Sequence, residues 1–303
     1  MATTSPASVH GVPGGERGGE PGGAAERFRA RMCEARRSYP FPLDIRALAE
    51  EFTLGVLALL FPHFTRTPRC EQTDLEEEQL HLCNLLRRAL RTGAPDADER
   101  AVRLAEDFFA RLPEIHEALL ADARAIYEGD PAAESMDEVI LAYPGFFAIA
   151  CYRIAHVFYE QRVPVFPRLV TEFAHRQTGI DIHPGARIGA SFAIDHGTGI
   201  VIGETTVIGD RAKIYQGVTL GAASVDKSLA RTKRHPTIGD DVVIYANATI
   251  LGGDTHVGSG SVIGGNAWLT QSVPPNSVVT YSKVERRRGA GGAGEDDLLE
   301  FNI

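Results

Sequence analysis

The sequence predicts an α + β protein in which a helical N-terminal domain precedes a C-terminal parallel β-helix. Apolar positions recur at helical spacing in the first half of the 303 residues, and from Ile182 aliphatic residues recur every six positions. A six-residue period fits neither an α-helix nor a long strand, but it fits a β-helix whose short faces each take one hexapeptide. The predicted segments are a disordered tail at 1–25, the helical domain at 26–178, the β-helix at 179–284 and a flexible tail at 285–303.

The N-terminal tail and the overall charge limit the classes of function. Residues 1–25 are rich in Gly, Pro, Ala and Ser, and such a segment buries too little apolar surface to become ordered. The formal net charge of −9 argues against a nucleic-acid partner, because such partners are held by phosphate neutralisation. The chain shows no signal peptide, and its four cysteines have no paired spacing. We therefore expect a cytoplasmic protein with free thiols and no membrane span.

Three apolar stretches carry the helical prediction. A helical stripe covers 75–90, and a second apolar face covers 102–126. Pro113 interrupts the second face, and proline there fits best at a helix start or at a kink. The most apolar stretch, 139–158, contains Pro144 and charged side chains, so it is predicted to be a buried helical segment of a globular domain.

Thirteen aliphatic residues mark the predicted β-helix, and each is expected to point into its interior. The six-residue spacing slips by two residues after Ile194, is interrupted by a loop after Leu220, and slips by one after Ile250. The two prolines in 273–276 are expected to end the β-helix, because Pro cannot donate to a ladder. The thirteen positions are Ile182, Ile188, Ile194, Ile202, Ile208, Ile214, Leu220, Ile238, Ile244, Ile250, Val257, Ile263 and Leu269.

The first break in the period, at 194–199, points to acid–base chemistry. Polar insertions in a regular repeat are where function is expected. His196 is the candidate general base, because imidazole titrates near neutral pH. Asp181 lies fifteen residues earlier, and a coil of about eighteen residues is expected to bring it near the same corner on an adjacent coil, where it would fix the tautomer of His196. A turn aspartate beside a surface histidine is the plain alternative.

The second break is a basic loop at 222–236. It contains Lys227, Arg231, Lys233 and Arg234 against one acid. A basic loop on an acidic protein suits an anionic cofactor, and no phosphate-binding glycine motif is present elsewhere. A solvated charged loop is the alternative.

Several motifs together resemble the serine acetyltransferases. They are Asp-Ile-His-Pro from Asp181, Asp-His-Gly-Thr-Gly from Asp195, and Arg-His-Pro from Arg234, and the similarity covers the whole β-helix and extends upstream to Asp130 and to 144–156. Single hexapeptides are shared across the hexapeptide acyltransferases, whereas this combination is specific. The chain departs from the family's common pattern at Pro144 and Ala222, where lysine and glycine are usual.

The resemblance implies the architecture and the reaction. It implies a left-handed β-helix, homotrimers with active sites between neighbouring β-helices, and in many members a dimer of trimers. Acetyl-CoA would be the co-substrate, with no permanently bound cofactor or metal, and its acetyl group would pass to the hydroxyl of L-serine, in the first step of cysteine synthesis. In many members a C-terminal isoleucine, here Ile303, docks into O-acetylserine sulfhydrylase.

The resemblance also assigns roles by position. His196 resembles the catalytic base and Asp181 its orienting acid, in a direct transfer that needs no acetyl-enzyme. Inhibition by L-cysteine at the serine site is likewise implied. The remaining positions are Asp130 and Asp195 for the serine ammonium, Arg234 and His235 of a neighbouring subunit for its carboxylate, and Gly221, Ala222, Ala246, Lys227 and Lys233 for CoA.

Three other functions compete with this interpretation. A hexapeptide acetyltransferase for a sugar would not need opposite charges for a zwitterion. A γ-type carbonic anhydrase needs three histidines around zinc, and the four histidines of the β-helix show no HxxxxH pair. A non-catalytic scaffold whose tail binds a partner predicts no acetyl-CoA binding.

Overall fold

The computed structural model describes residues 23–65, 71–91, 96–224 and 232–280, in which helices are followed by short parallel strands. The helices are α1 (Ala24–Arg37), α2 (Ile45–Leu60), α3 (Gln72–Leu90), α4 (Ala97–Ala110), α5 (Leu112–Gly129), α6 (Met136–Ala142), α7 (Pro144–Glu160) and α8 (Phe166–Thr178), with a 3₁₀ turn at Pro62–Phe64. The strands are β1 (Asp181–Ile182), β2 (Arg187–Ile188), β3 (Ala193–Asp195), β4 (Val201–Ile202), β5 (Val207–Ile208), β6 (Lys213–Tyr215), β7 (Thr219–Gly221), β8 (Thr237–Ile238), β9 (Val243–Ile244), β10 (Thr249–Leu251), β11 (His256–Val257), β12 (Val262–Ile263), β13 (Trp268–Leu269) and β14 (Val278–Val279).

An aromatic cluster forms the centre of the helical part. Phe108 and Phe158 stack with ring centroids 4.8 Å apart, and Phe166 meets Phe158 edge-on at 5.0 Å. Phe52 touches all three rings. Such pairs add to the free energy gained by apolar burial, so α2, α4, α7 and α8 share one core.

The helix predictions are partly confirmed. Pro113 lies in the first turn of α5, as predicted. The face predicted at 102–126 is only partly confirmed. Its members Val102 and Phe109 are half-buried, whereas Ala105, Leu112, Ile115, Leu119 and Ile126 are buried. Arg111 separates α4 from α5, so the helical phase does not run through. In the tail predicted at 1–25, α1 already begins at Ala24. The buried residues of α4 are Ala97, Ala101, Ala105 and Phe108.

The apolar stretch 139–158 forms two helices instead of one. Tyr143 separates α6 from α7, and Pro144 supplies the first residue of α7. Within the described ranges no single helix is long and apolar enough to cross a membrane, and the pair α6–α7 meets that test only jointly, with a bend of 74° between them.

The predicted β-helix is confirmed. Its strands form three parallel faces, and Val201 pairs with Thr219 one coil of eighteen residues later. Of the thirteen aliphatic positions, Ile188 and Leu269 are partly buried and the others are buried. Face 1 contains β1, β4, β7, β10 and β13, face 2 contains β2, β5, β8 and β11, and face 3 contains β3, β6, β9, β12 and β14. The chain passes from face 1 to face 2 at the 1/2 corner and from face 3 to the next face 1 at the 3/1 corner.

The prolines of 273–276 do not end the β-helix, contrary to the prediction. Strand β14 follows them and pairs with β12. The coil before them donates the connecting hydrogen bonds, from Gly258 N to Val273 O and from Val262 N to Ser277 O, both at 2.8 Å. The missing proline N–H groups are therefore not needed.

A buried ion pair seats α7 on the first coil. Arg153 pairs with Asp122 of α5, whose side chain is fully buried. Arg153 also donates to Gly189 O at 2.9 Å, and Asp122 accepts from Phe192 N at 2.9 Å. A buried pair needs such additional hydrogen bonds to offset the desolvation of both charges.

A close backbone approach completes this contact. At Gly145 of α7, any Cβ would lie 2.5 Å from the carbonyl oxygen of Ile194 in β3. Glycine therefore allows α7 to lie against the strand that leads to Asp195 and His196. With α5 held to α7, the end of α5 at Asp130 faces the same corner of the β-helix.

Candidate active site

The first break in the period is an enlarged turn at the 3/1 corner. His196 follows β3 with a left-handed φ of 56°, and Gly197 and Gly199 have φ values of 90° and 83°. Ile200 N donates to Gly197 O at 3.0 Å within the turn, and Gly199 N donates to Gly179 O at 2.8 Å and ties the turn to the end of α8. Other corners of this β-helix also contain left-handed residues, such as Ser191, Arg211 and Asp241, so the φ value of His196 reflects a tight corner. The turn holds the His196 side chain 73% exposed.

Two carboxylates lie beside this turn. Asp130 follows α5, where its Oδ1 accepts from Ala132 N at 2.9 Å and its Oδ2 accepts from the Tyr143 hydroxyl at 2.7 Å. These hydrogen bonds lower the pKa of Asp130, helped by the charges of Lys213 and His196. The same hydrogen bond raises the pKa of Tyr143 to about 12. Asp130 is therefore a fixed carboxylate, ionised at neutral pH.

Asp195 is the second carboxylate, and it lies between two basic groups. Its Oδ2 is 3.0 Å from Lys213 Nζ, and its Oδ1 is 3.7 Å from His196 Nε2. Its side chain is only 15% exposed. The structure thus brings together three of the predicted residues, Asp130, Asp195 and His196, at one corner.

The predicted contact between Asp181 and His196 is absent. Asp181 pairs with Arg168 of α8 at 3.3 Å, and no hydrogen bond or ion pair joins Asp181 to His196. Asp181 does lie one coil from the His196 turn, because β1 pairs with β4 and His196 lies in the turn that leads to β4. The predicted placement on adjacent coils therefore holds, although the two side chains are not in contact. Among the described residues, the acid that pairs with His196 is Asp195.

Asp181 also belongs to a small polar group on α8. Ligand atoms of Glu172, His175 and Asp181 lie within 4.8 Å of one another. Arg168 already neutralises this group, since it pairs with Glu172 at 2.5 Å as well as with Asp181. A metal ion there would compete with a guanidinium in place.

Arg234 lies at the 1/2 corner. It forms an ion pair with Glu204, and Tyr159 donates to the other oxygen of Glu204 at 2.7 Å. Burial alone would raise the pKa of Glu204, but the hydrogen bonds from Arg234 and Tyr159 outweigh it and hold that pKa below its ordinary value. Burial, together with the hydrogen bond to Glu204, raises the pKa of Tyr159 to about 12. The guanidinium is therefore oriented before any ligand arrives.

His235 is buried beside Arg234. Only 8% of the residue is exposed, and its Nδ1 accepts hydrogen bonds from Thr205 N at 3.1 Å and the Thr205 hydroxyl at 2.9 Å. Burial and the charges of Arg234 and Lys233 lower the pKa of His235 to about 4. It is neutral at pH 7.

The Lys233 ammonium is held by backbone carbonyl oxygens. Its Nζ donates to Thr205 O at 2.8 Å, to Pro236 O at 3.0 Å and to His235 O. Burial and the Arg187 charge lower the pKa of Lys233 to about 8. The predicted CoA contact through Lys233 is therefore not supported, because the amine closes the base of the basic loop.

Three of the other predicted CoA positions lie in the described part of the chain, at the ends of β7 and β9. Gly221 ends β7, where its carbonyl accepts from Gly252 N at 3.1 Å, and Ala222 follows half-buried. Ala246 is half-buried after β9. Lys227 and the predicted partner-binding Ile303 lie outside the described residues.

Sequence reasoning missed four residues that hold the site. Tyr143 binds Asp130, Tyr159 and Glu204 orient Arg234, and Lys213 binds Asp195. Of these four residues, only Lys213 could have been recognised from the sequence. Its register partners on face 3 are Ala193 and Val243. A lysine in an otherwise aliphatic column breaks the repeat.

Comparisons with known proteins identify the family of this chain. A family model described as "Serine acetyltransferase, N-terminal" matches residues 71–151. A serine acetyltransferase of Synechococcus elongatus is 44% identical over 282 residues, which cover 84% of this chain and 86% of the relative. One of Mycobacterium tuberculosis is 47% identical over 54% of this chain and 69% of its own length.

Solved structures agree as well. Entamoeba histolytica serine acetyltransferase isoform 3, in complex with cysteine, superposes with a TM-score of 0.71 and 37% identity, covering 79% of this chain and 84% of that one. A Neisseria gonorrhoeae serine acetyltransferase in complex with serine has a TM-score of 0.56 and 32% identity, over 78% of this chain and 93% of that one. These similarities favour the acetyltransferase over the carbonic anhydrase and scaffold alternatives. The chain belongs to the serine acetyltransferase family of acyltransferases.

Proposed function

We propose that this protein transfers the acetyl group of acetyl-CoA to the hydroxyl of L-serine, as the first step of cysteine synthesis. The observation that carries the proposal is the 3/1 corner, where the exposed imidazole of His196 lies beside the carboxylates Asp130 and Asp195. An imidazole next to an ammonium-binding pair is the arrangement that an amino-acid alcohol requires. The family comparisons support the same reaction.

The proposed chemistry needs one base. His196 accepts the hydroxyl proton while the serine oxygen attacks the thioester carbonyl of acetyl-CoA. Collapse of the tetrahedral intermediate breaks the carbon–sulfur bond, and His196 returns the proton to the CoA thiolate. The products are O-acetyl-L-serine and CoA. Asp181 would stabilise the imidazolium after its side chain leaves Arg168, whereas Asp195 is already 3.7 Å away.

Charge complementarity would select serine. Asp130 and Asp195 offer two carboxylates for the ammonium, and Arg234 offers a planar guanidinium for the carboxylate. L-Cysteine carries the same two charged groups, so it would compete for this site. A sugar carries neither charge.

The two recognition groups lie at different corners of one chain, which supports an active site shared between subunits. Face 1 separates the 3/1 corner, with His196, from the 1/2 corner, with Arg234 and His235. A homotrimer of β-helices would place the 3/1 corner of one subunit against the 1/2 corner of the next. Pairing of two trimers through the helical domains is part of the same proposal.

Acetyl-CoA would bind as a co-substrate along this cleft. Gly221, Ala222 and Ala246 offer backbone next to the pantetheine arm, and Lys227 of the basic loop would supply charge for the phosphates. Lys233 would instead act indirectly, by holding the base of that loop.

The test is an assay of CoA release from acetyl-CoA with three acceptors side by side. We expect turnover with L-serine, much less with L-homoserine and none with a simple sugar. Preference for the sugar would overturn the proposal and favour the sugar acetyltransferase alternative.

The C-terminal residue Ile303 is proposed to dock into O-acetylserine sulfhydrylase. The support is the apolar end of a polar tail, at Leu298, Leu299, Phe301 and Ile303. Deletion of 301–303 is expected to abolish co-elution with the sulfhydrylase while serine acetylation stays unchanged. Unchanged association after the deletion would end this part of the proposal.

A further inference from the structure

Lys213 connects the two segments that carry the proposed ammonium site. Its Nζ lies 3.0 Å from Asp195 Oδ2 and donates to Gly129 O at 2.6 Å, directly before Asp130. It also lies 4.6 Å from the centre of the Tyr215 ring. Its side chain is 16% exposed, so the ammonium is largely enclosed by these partners.

We propose that Lys213 is a positioning residue for serine binding, which holds one oxygen of Asp195 and leaves the other for the substrate ammonium. This inference rests on the proposed serine acetylation. Lys213 takes Oδ2, so Oδ1 is the oxygen that faces His196. The lysine does not contact the reacting atoms.

Asp195 depends on Lys213 more than Asp130 does. Asp130 is fixed by Tyr143 and Ala132, whereas the one other charged partner of Asp195 among the described residues is His196, at 3.7 Å. Without Lys213, the carboxylate is free to turn both oxygens toward His196. That would disorder the ammonium subsite and favour the protonated imidazole, which is inactive as a base.

The net charge of the site by itself predicts the opposite change in serine binding. Asp130, Asp195 and Lys213 together carry one negative charge, which matches one substrate ammonium. If simple repulsion between Lys213 and that ammonium dominated, removal of the lysine would strengthen serine binding. The two effects therefore predict opposite changes in the KM for serine.

The experiment compares Lys213→Met, which keeps the length of the side chain, with Lys213→Arg, which keeps its charge. We expect Lys213→Met to raise the KM for serine about tenfold, the scale of one weakened charge-assisted hydrogen bond, while the KM for acetyl-CoA stays unchanged. The acidic limb of the kcat/KM profile should move to higher pH. Lys213→Arg should restore most of the serine KM.

A double-mutant cycle with Asp195→Asn tests the route of the effect. If Lys213 acts through Asp195, Lys213→Met should add no further loss in the Asp195→Asn background. Additive losses, a lower serine KM, or a loss of kcat and thermal stability with serine KM unchanged would overturn the proposal. Circular dichroism checks that each variant is folded. Wild-type protein that fails to acetylate serine would instead count against the proposed function.

Discussion

The two corners that carry the predicted site residues differ in how exposed their side chains are and in how far those side chains are already paired within the chain. At the 3/1 corner, the His196 side chain is 73% exposed on a left-handed turn. At the 1/2 corner, only 8% of His235 is exposed, and Arg234 is already paired with Glu204. The first corner presents reactive groups to solvent, whereas the second is internally satisfied.

This difference follows from the tasks proposed for each corner. A base has to reach a substrate proton, so it cannot be buried in its own chain. A guanidinium that recognises a carboxylate works best when its orientation is set beforehand. One chain therefore carries an open half of the proposed active site at its 3/1 corner and a preorganised half at its 1/2 corner. In an oligomer, the 3/1 corner of one copy would meet the 1/2 corner of its neighbour.

The largest expected effect comes from the open corner. His196→Ala should lower turnover about 10²–10⁴-fold, because positioned acid–base help is lost. His81→Ala is the matched control, since this exposed histidine lies on α3 in the helical part of the chain. Steady-state assay of CoA release measures both. Near-normal turnover in His196→Ala would remove it as the base.

Mixing two inactive variants tests whether the corners meet across subunits. His196→Ala and Arg234→Gln subunits are denatured together and refolded. In random trimers about a quarter of the interfaces would combine an intact His196 with an intact Arg234. Recovery of activity toward this fraction is expected. If mixtures stay as inactive as the separate variants, both residues act within one subunit.

A smaller effect is expected from the preorganised corner alone. Arg234→Gln should lower kcat/KM for L-serine about 10- to 100-fold, because a charge-assisted hydrogen bond to the carboxylate is lost. Ethanolamine, which lacks that carboxylate, should be affected little. Arg211→Gln, at an exposed ion pair with Asp241, is the control. Equal losses for both acceptors would contradict carboxylate recognition by Arg234.

The last expected effect is on stability instead of activity, and it concerns His235. Its folded pKa of about 4 lies below the ordinary value of 6.5, so the unfolded chain binds more protons between these values. The free energy of unfolding should therefore fall as pH drops from about 6.5 toward 4, by up to about 3 kcal/mol from this residue.

His235→Asn should remove the part of the pH-dependent free energy of unfolding that comes from this histidine. Asparagine can still accept a hydrogen bond from Thr205, but it does not titrate. Denaturant unfolding at pH 7.5 and pH 5 compares the two proteins. Identical pH dependence in both would show that the buried imidazole does not carry the proton linkage.

Much of the fold could be predicted because its signals are local. The six-residue period required inward aliphatic side chains, and the structure buries nearly all of them. Pro113 predicted a helix start for the same local reason. The face of α4 was predicted only in part, because the helix is interrupted at Arg111 and the helical phase starts again in α5.

The sequence by itself determined the β-helix, the break in its period at His196 and the family. The tertiary structure alone decided which charges meet. Asp181 pairs with Arg168, Lys233 turns onto backbone carbonyls, and Lys213 reaches Gly129, which lies 84 residues earlier. A repeat is set by neighbours along the chain, whereas a side-chain pairing depends on where the helices dock on the β-helix.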